Sequence, residues 1–185
     1  GAFRSVQGQP RANLAHILAD ATVGAWNPRA EGQMDPFDEG DGPIHALAVS
    51  GNTVYVGGDF GLINGEPRTG LGAVDATTGL VTPWAPGTNG PVRALMVLGD
   101  TVYVGGYNLS ISGGPPGGLA AVSRTTAHSY LWDPIPSGSV SSMAVSGDTL
   151  YVGGSVSAAG GFPRVRLAAF LTSTGLRTAW NPEVS

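Results

Sequence analysis

The chain has 185 residues, of which 30 are Gly and 14 are Pro, far more turn formers than a helical bundle tolerates. Only 12% of residues are charged and the formal net charge is −4, so the broad positive field on which nucleic-acid binders and anionic-membrane binders depend is missing. There is no Cys and every basic residue is Arg, which excludes disulfides, thiolate metal sites, Schiff-base lysines and phosphate-loop lysines.

Taken in chain order, residues 1–28 come first. Ala12-Asn13-Leu14-Ala15-His16-Ile17-Leu18-Ala19-Asp20-Ala21 has helix propensity in isolation. Comparison with later residues overrules it. Phe3, Gly8, Pro10, Arg11, Leu14 and Ile17 recur 57 residues later as Phe60, Gly65, Pro67, Arg68, Leu71 and Val74, and Trp26-Asn27-Pro28 recurs as Trp84-Ala85-Pro86. The chain therefore begins inside a repeating unit, and strands are expected here. Residues 29–42 form an acidic insertion, ten residues longer than the equivalent connection 87–90. Four of the thirteen acidic residues, Asp35, Asp38, Glu39 and Asp41, fall within seven positions of it, 35–41. Carboxylates at this density repel one another unless solvated or bridged by a cation. Ca²⁺, which takes about six to eight oxygens, is the cofactor candidate, although the spacing does not follow the EF-hand loop. A solvated acidic loop is the alternative, and no other cofactor is expected.

Residues 43–86 are the first full unit. Strand A spans 44–49 and turns through Gly51-Asn52 into strand B at 53–56. Strand C, about 70–75, turns through Thr77-Thr78-Gly79 into strand D at 80–84. In strand A, Ile44, Ala46 and Ala48 are read as pointing to one face and Leu47 and Val49 to the other, with both faces buried. Residues 91–134 and 139–182 repeat this unit without a gap. Tyr55, Tyr103 and Tyr151 stand 48 apart, as do Trp84, Trp132 and Trp180, and Leu71, Leu119 and Leu167. The longest uncharged stretch, 101–123, is broken by Gly105-Gly106 and by Gly113-Gly114-Pro115-Pro116-Gly117-Gly118. No membrane insertion is expected. Short strands repeated at this period predict an all-β fold: a β-propeller of about three and a half four-stranded blades of 48-residue repeats. Such an arc leaves open ends, so it is read as part of a larger ring. Assembly of several copies is the alternative.

These residues also carry a family resemblance. The run from Ala46-Leu47-Ala48-Val49-Ser50-Gly51-Asn52 through Thr53-Val54-Tyr55-Val56-Gly57-Gly58-Asp59-Phe60 is followed by Arg68, Ala73-Val74-Asp75-Ala76-Thr77-Thr78-Gly79 and Trp84. Together they resemble the bacterial delta-60 type β-propeller repeat. More distantly, the Asp75-Ala76-Thr77-Thr78-Gly79 and Trp segments are similar to the docking motif of quinoprotein-type propellers. The resemblance implies large secreted or surface-attached bacterial proteins and no particular reaction. It also implies that Trp26, Trp84, Trp132 and Trp180 wedge between neighbouring blades, a structural role shared with the tyrosine column. Pro116 departs from the Arg68 column, and Ser123 and Leu171 depart from the Asp75 column.

Alternating strand direction puts the long B–C and D–A connections at one rim. That rim holds the ligand-binding candidates. His45 and Arg93 share a column with Ser141 at the start of strand A. Asp59, Arg68 and Arg164 lie on the long-loop face. Solvated rim residues, and an Arg column that pins the B–C loop, are the structural alternatives. His16, His45 and His128 occupy different columns, so neither a metal cluster nor a triad is suggested. The function read from this is a non-catalytic scaffold, extracellular or at the cell surface, mediating protein–protein or assembly contacts. Its partners are the remainder of a longer propeller chain or other protein subunits, not nucleic acid. A glycan-binding, lectin-like propeller is the alternative, and a hydrolase or lyase using Asp, His and Arg on the long-loop face is the third reading.

Overall fold

The computed structural model describes residues 2–32, 42–114, 116–132, 134 and 136–182. They are all-β, with no helix among the described residues and several small antiparallel sheets. Each full unit contributes one three-stranded meander. These are Ile44–Ser50, Thr53–Gly58 and Leu71–Asp75; then Val92–Leu98, Thr101–Leu109 and Gly117–Ser123; then Val140–Ser146, Thr149–Gly154 and Leu167–Leu171. The second strand lies in the middle each time. Its composition explains this: Val-Tyr-Val or Leu-Tyr-Val suits a strand buried on both faces. The A–B hairpins close with Ser50 opposite Thr53, Leu98 opposite Thr101 and Ser146 opposite Thr149. The first loop residue, Gly51, Gly99 or Gly147, has φ of 57°, 57° or 56°, which is the glycine position of a type II′ turn.

Strand A departs from the expected alternation. Ile44 pairs with Gly58 but Ala46 with Gly57, Val92 with Gly106 but Ala94 with Gly105, and Val140 with Gly154 but Ser142 with Gly153. One residue, His45, Arg93 or Ser141, is therefore extra in each unit, a β-bulge that shifts the phase of everything after it. Ile44 and Ala48 consequently face different cores rather than one. Nor are both faces of strand A covered in the first unit: Leu47 is 53% and Val49 65% exposed, whereas their counterparts Leu95 and Val97 pack against the core. Among the described residues, no hydrophobic cluster includes Leu47 or Val49.

Strand D is also shorter than expected. It survives as one antiparallel bridge per unit: Val81 to Val74, Ser129 to Val122 and Arg177 to Phe170. In the first and third units the N–H of Trp84 and of Trp180 turns to the hydroxyl of Thr82 (3.4 Å) and of Thr178 (3.2 Å), ending the ladder. Residues 12–21 form neither helix nor strand. Only Ile17 pairs, with Val23, and Asn13 and Ala21 have φ of 67° and 65°, values that interrupt either regular structure.

The cores lie between units rather than within them. Leu14 and Trp26 of the partial unit pack with Ile44, Val54, Val56 and Val74 of the first. Tyr55, Leu71, Ala73 and Trp84 of the first pack with Val92, Val102, Val104 and Val122 of the second. Tyr103, Leu119, Ala121 and Trp132 of the second pack with Val140, Leu150, Val152 and Phe170 of the third. The long connections make their own small sheets on one side: Ala30–Glu31 with Leu62–Ile63 and Glu66–Pro67, and Pro136–Ser137 with Ala158–Ala159 and Phe162–Pro163. The second unit has instead the single bridge of Thr88 to Ile111.

Candidate functional site

The bulge makes His45, Arg93 and Ser141 exposed side chains at the start of their strands, since the extra residue of a bulge is aimed away from the ladder. Although its side chain is exposed, partial desolvation holds the His45 imidazole below its ordinary pKa of 6.5, and the Arg93 cation lowers it further, while the Asp59 carboxylate acts in the opposite direction. The fold thus brings Arg93 and Asp59 each within electrostatic reach of His45. Neutral near pH 7, His45 offers one donor and one acceptor to a polar partner. Among the described residues no group of three or more His, Cys, Asp or Glu could hold a metal ion. Asp35, Asp38, Glu39 and Asp41 lie outside the described residues.

The Arg column points inward. Arg11, Arg68 and Arg164 each donate Nη1 to the carbonyl of the preceding proline, Pro10, Pro67 or Pro163, at 2.7, 2.6 and 2.8 Å. Each donates Nη2 to a carbonyl of the D segment, Gly24, Thr82 or Thr178, at 2.7, 2.7 and 3.2 Å. Nε of all three is buried without a partner. A guanidinium whose terminal donors are taken by the chain's own carbonyls clamps the B–C loop to the D segment. It offers little to an external anion.

The aromatic column forms the joints. Tyr55 meets Trp84 edge-on at 4.9 Å and 85°, Tyr103 meets Trp132 at 5.2 Å and 65°, and Tyr151 meets Trp180 at 5.0 Å and 83°, the arrangement favoured by the ring quadrupoles. Each indole then reaches the following unit. Trp26 Nε1 donates to the Asp75 carbonyl (2.9 Å), Trp84 Nε1 to that of Ser123 (2.8 Å) and Trp132 Nε1 to that of Leu171 (3.4 Å). The acceptor is a backbone carbonyl, which is why the change from Asp75 to Ser123 to Leu171 is tolerated. The Asp75 side chain serves its own turn, accepting from the N–H groups of Thr77 and Thr78, and these bonds hold its carboxyl below the usual range. Burial of the Tyr103 phenol raises its pKa, and its hydroxyl donates to the Thr172 carbonyl. Trp84 and Trp132 are 7% and 9% exposed, but Trp180 is 40% exposed.

One feature escapes a residue-by-residue reading of the sequence. The second unit contains an open cavity of about 600 Å³ bordered by Tyr107, Ile111, Leu119, Tyr130, Trp132 and Pro136. Its signal in the sequence is a column rather than a motif: Pro116 stands where the other units have Arg.

No protein-family model matches the chain, and no curated protein sequence does. The solved structures to which the chain is similar include two computationally designed proteins. For Ika4 the TM-score is 0.53 at 19% identity, covering 77% of this chain and 73% of that one. For Ika8 the TM-score is 0.50 at 19% identity, covering 76% of this chain. The chain spans 36% of the length of Ika8. At this identity the likeness concerns the fold alone.

Proposed function

We propose that the chain is an arc of a β-propeller, about three and a half blades, serving as a non-catalytic scaffold for protein–protein contact in a secreted or cell-surface bacterial protein. The observation that supports this best is the face carrying Trp180. In the first and second units the Tyr–Trp pair is sealed by the next unit; in the third the same pair stands 40% exposed at Trp180. In this reading the remainder of a longer propeller chain, or another subunit, completes the joint. Sedimentation of the 185-residue chain tests it. Association should grow with concentration, Trp180→Asp should abolish it, and Leu80→Asp, at a site 67% exposed elsewhere, should leave it intact. A folded monomer at every concentration, unaffected by Trp180→Asp, would sink the proposal.

The lectin-like reading has one observation in its favour: the exposed rings of Tyr107 and Tyr130 beside the cavity of the second unit. Its test is glycan-array binding that Tyr107→Ala removes.

A further inference from the structure

The cavity of the second unit stands where its sister units keep a guanidinium. Arg68 and Arg164 reach their D segments through Nη2, at the carbonyls of Thr82 and Thr178. The equivalent residue in the second unit is Tyr130, and among the described residues no donor reaches its carbonyl. The equivalent of Arg68 is Pro116, which has no side-chain donor. The Arg stem is missing as well. The Arg68 Cβ and Cγ lie over Gly72, where an added Cβ would come within 3.2 Å and 3.1 Å of them, and Ala168, in the Gly72 column of the third unit, is fully buried. Ala120, in the same column of the second unit, is half-buried and lines the cavity. The carbonyl of Pro67 corresponds to Pro115, outside the described residues.

We propose that this cavity binds a guanidinium cation, the arginine side chain of a partner protein, in place of the arginine that the second unit lacks. The chemistry is already present elsewhere in the chain. Three guanidinium groups are held by paired backbone carbonyls, with no carboxylate among their hydrogen-bond partners in the described residues. In the second unit an aromatic wall is added to that carbonyl. Tyr130 and Tyr107, 43% and 65% exposed, line the cavity together with Trp132. A planar cation stacks on such rings more favourably than a neutral isostere. The Tyr130 hydroxyl donates to the Asp100 carboxylate at 3.4 Å, which restrains the ring. Arginine suits the site better than lysine because a flat fork can satisfy a carbonyl while lying against a ring.

The test is a nuclear magnetic resonance titration of the full chain with N-acetyl-arginine amide, the citrulline equivalent, a neutral disaccharide and ethylguanidinium. The expected result is saturable shifts at Tyr130 and Trp132, with the arginine derivative binding about tenfold tighter than citrulline. Arginine amide tighter than ethylguanidinium assigns the ligand to a protein side chain; equal affinities assign it to a small cation of the same chemistry. Pro116→Arg supplies the cation internally and should abolish binding while raising the melting temperature. Should that variant not fold, Tyr130→Thr, the residue type of the sister units, should weaken binding severalfold in a folded chain. Equal response to citrulline and arginine, a response to the disaccharide alone, or no shift at all would overturn the proposal.

Discussion

The first and third units share their Tyr, Arg and Trp columns, yet these columns meet different neighbours. Around Trp84 the second unit supplies valines and a carbonyl acceptor; around Trp180 there is solvent on one side. The intra-unit pairing of Tyr with Trp is the same at both places, 4.9 and 5.0 Å. The aromatic pair is therefore a property of the unit, whereas its burial is a property of the joint. What stabilises this molecule is mostly contact between sheets, since hydrophobic stabilisation follows area removed from water.

Matched substitutions sharpen or break that comparison. The largest effect is expected at Trp84→Ala, which should cost about 3–5 kcal/mol in chemical denaturation, as for large core truncations. Trp180→Ala in the same chain should cost less than about 1 kcal/mol. Equal losses would mean that the joint is not where the stability lies. Next come the glycines of strand B. A Cβ on Gly57 would stand 2.5 Å from Val92 Cγ1 in the next sheet, so Gly57→Ala should destabilise by about 1–3 kcal/mol. Gly153, its counterpart, would meet the Ser142 hydroxyl at 2.6 Å, a group that can rotate aside, so Gly153→Ala should be close to neutral. A smaller effect is expected for Trp84→Phe, which keeps the ring but leaves the Ser123 carbonyl without its 2.8 Å donor; about 1 kcal/mol should be lost. The same change at Trp180, whose indole has no acceptor among the described residues, should be neutral.

The smallest effect belongs to the rim. Because the folded-state pKa of His45 lies below 6.5, the folded chain binds fewer protons than the unfolded chain. Stability should thus be at its plateau above that value and fall as pH drops through the folded pKa. His45→Gln should flatten the acid side of a melting-temperature profile between about pH 7 and 5. A profile identical to that of the parent chain would remove His45 from the account.

The legible parts of this fold are the local ones. Gly51-Asn52 and its two repeats specify a two-residue turn by backbone geometry alone, and the 48-residue spacing of Tyr55, Tyr103 and Tyr151 locates the central strands. Strand D is shorter than its composition suggests because Thr82 and Thr178 look like strand residues, while their hydroxyls capture the Trp N–H and end the ladder. The bulge at His45 was invisible because Ile44, Ala46 and Ala48 alternate plausibly in either phase. Leu47 and Val49 read as core because their exposure depends on a neighbouring sheet, not on their own sequence. Of the site, the Arg column was legible as a column, but the direction of each guanidinium was not. The cavity becomes visible only when the absence of Arg at Pro116 is set against Arg11, Arg68 and Arg164.

Because every core is assembled from two successive units, one sheet alone has no interior. Folding during synthesis is then a relay: each sheet stays provisional until its successor leaves the ribosome and seals its Tyr–Trp face. Energetics of this kind depend on nearest neighbours, so a whole unit can be gained or lost with one joint, while half a unit disturbs two. Trp180, at the surface of the third sheet, shows what the Tyr–Trp face of such a sheet looks like without a neighbour.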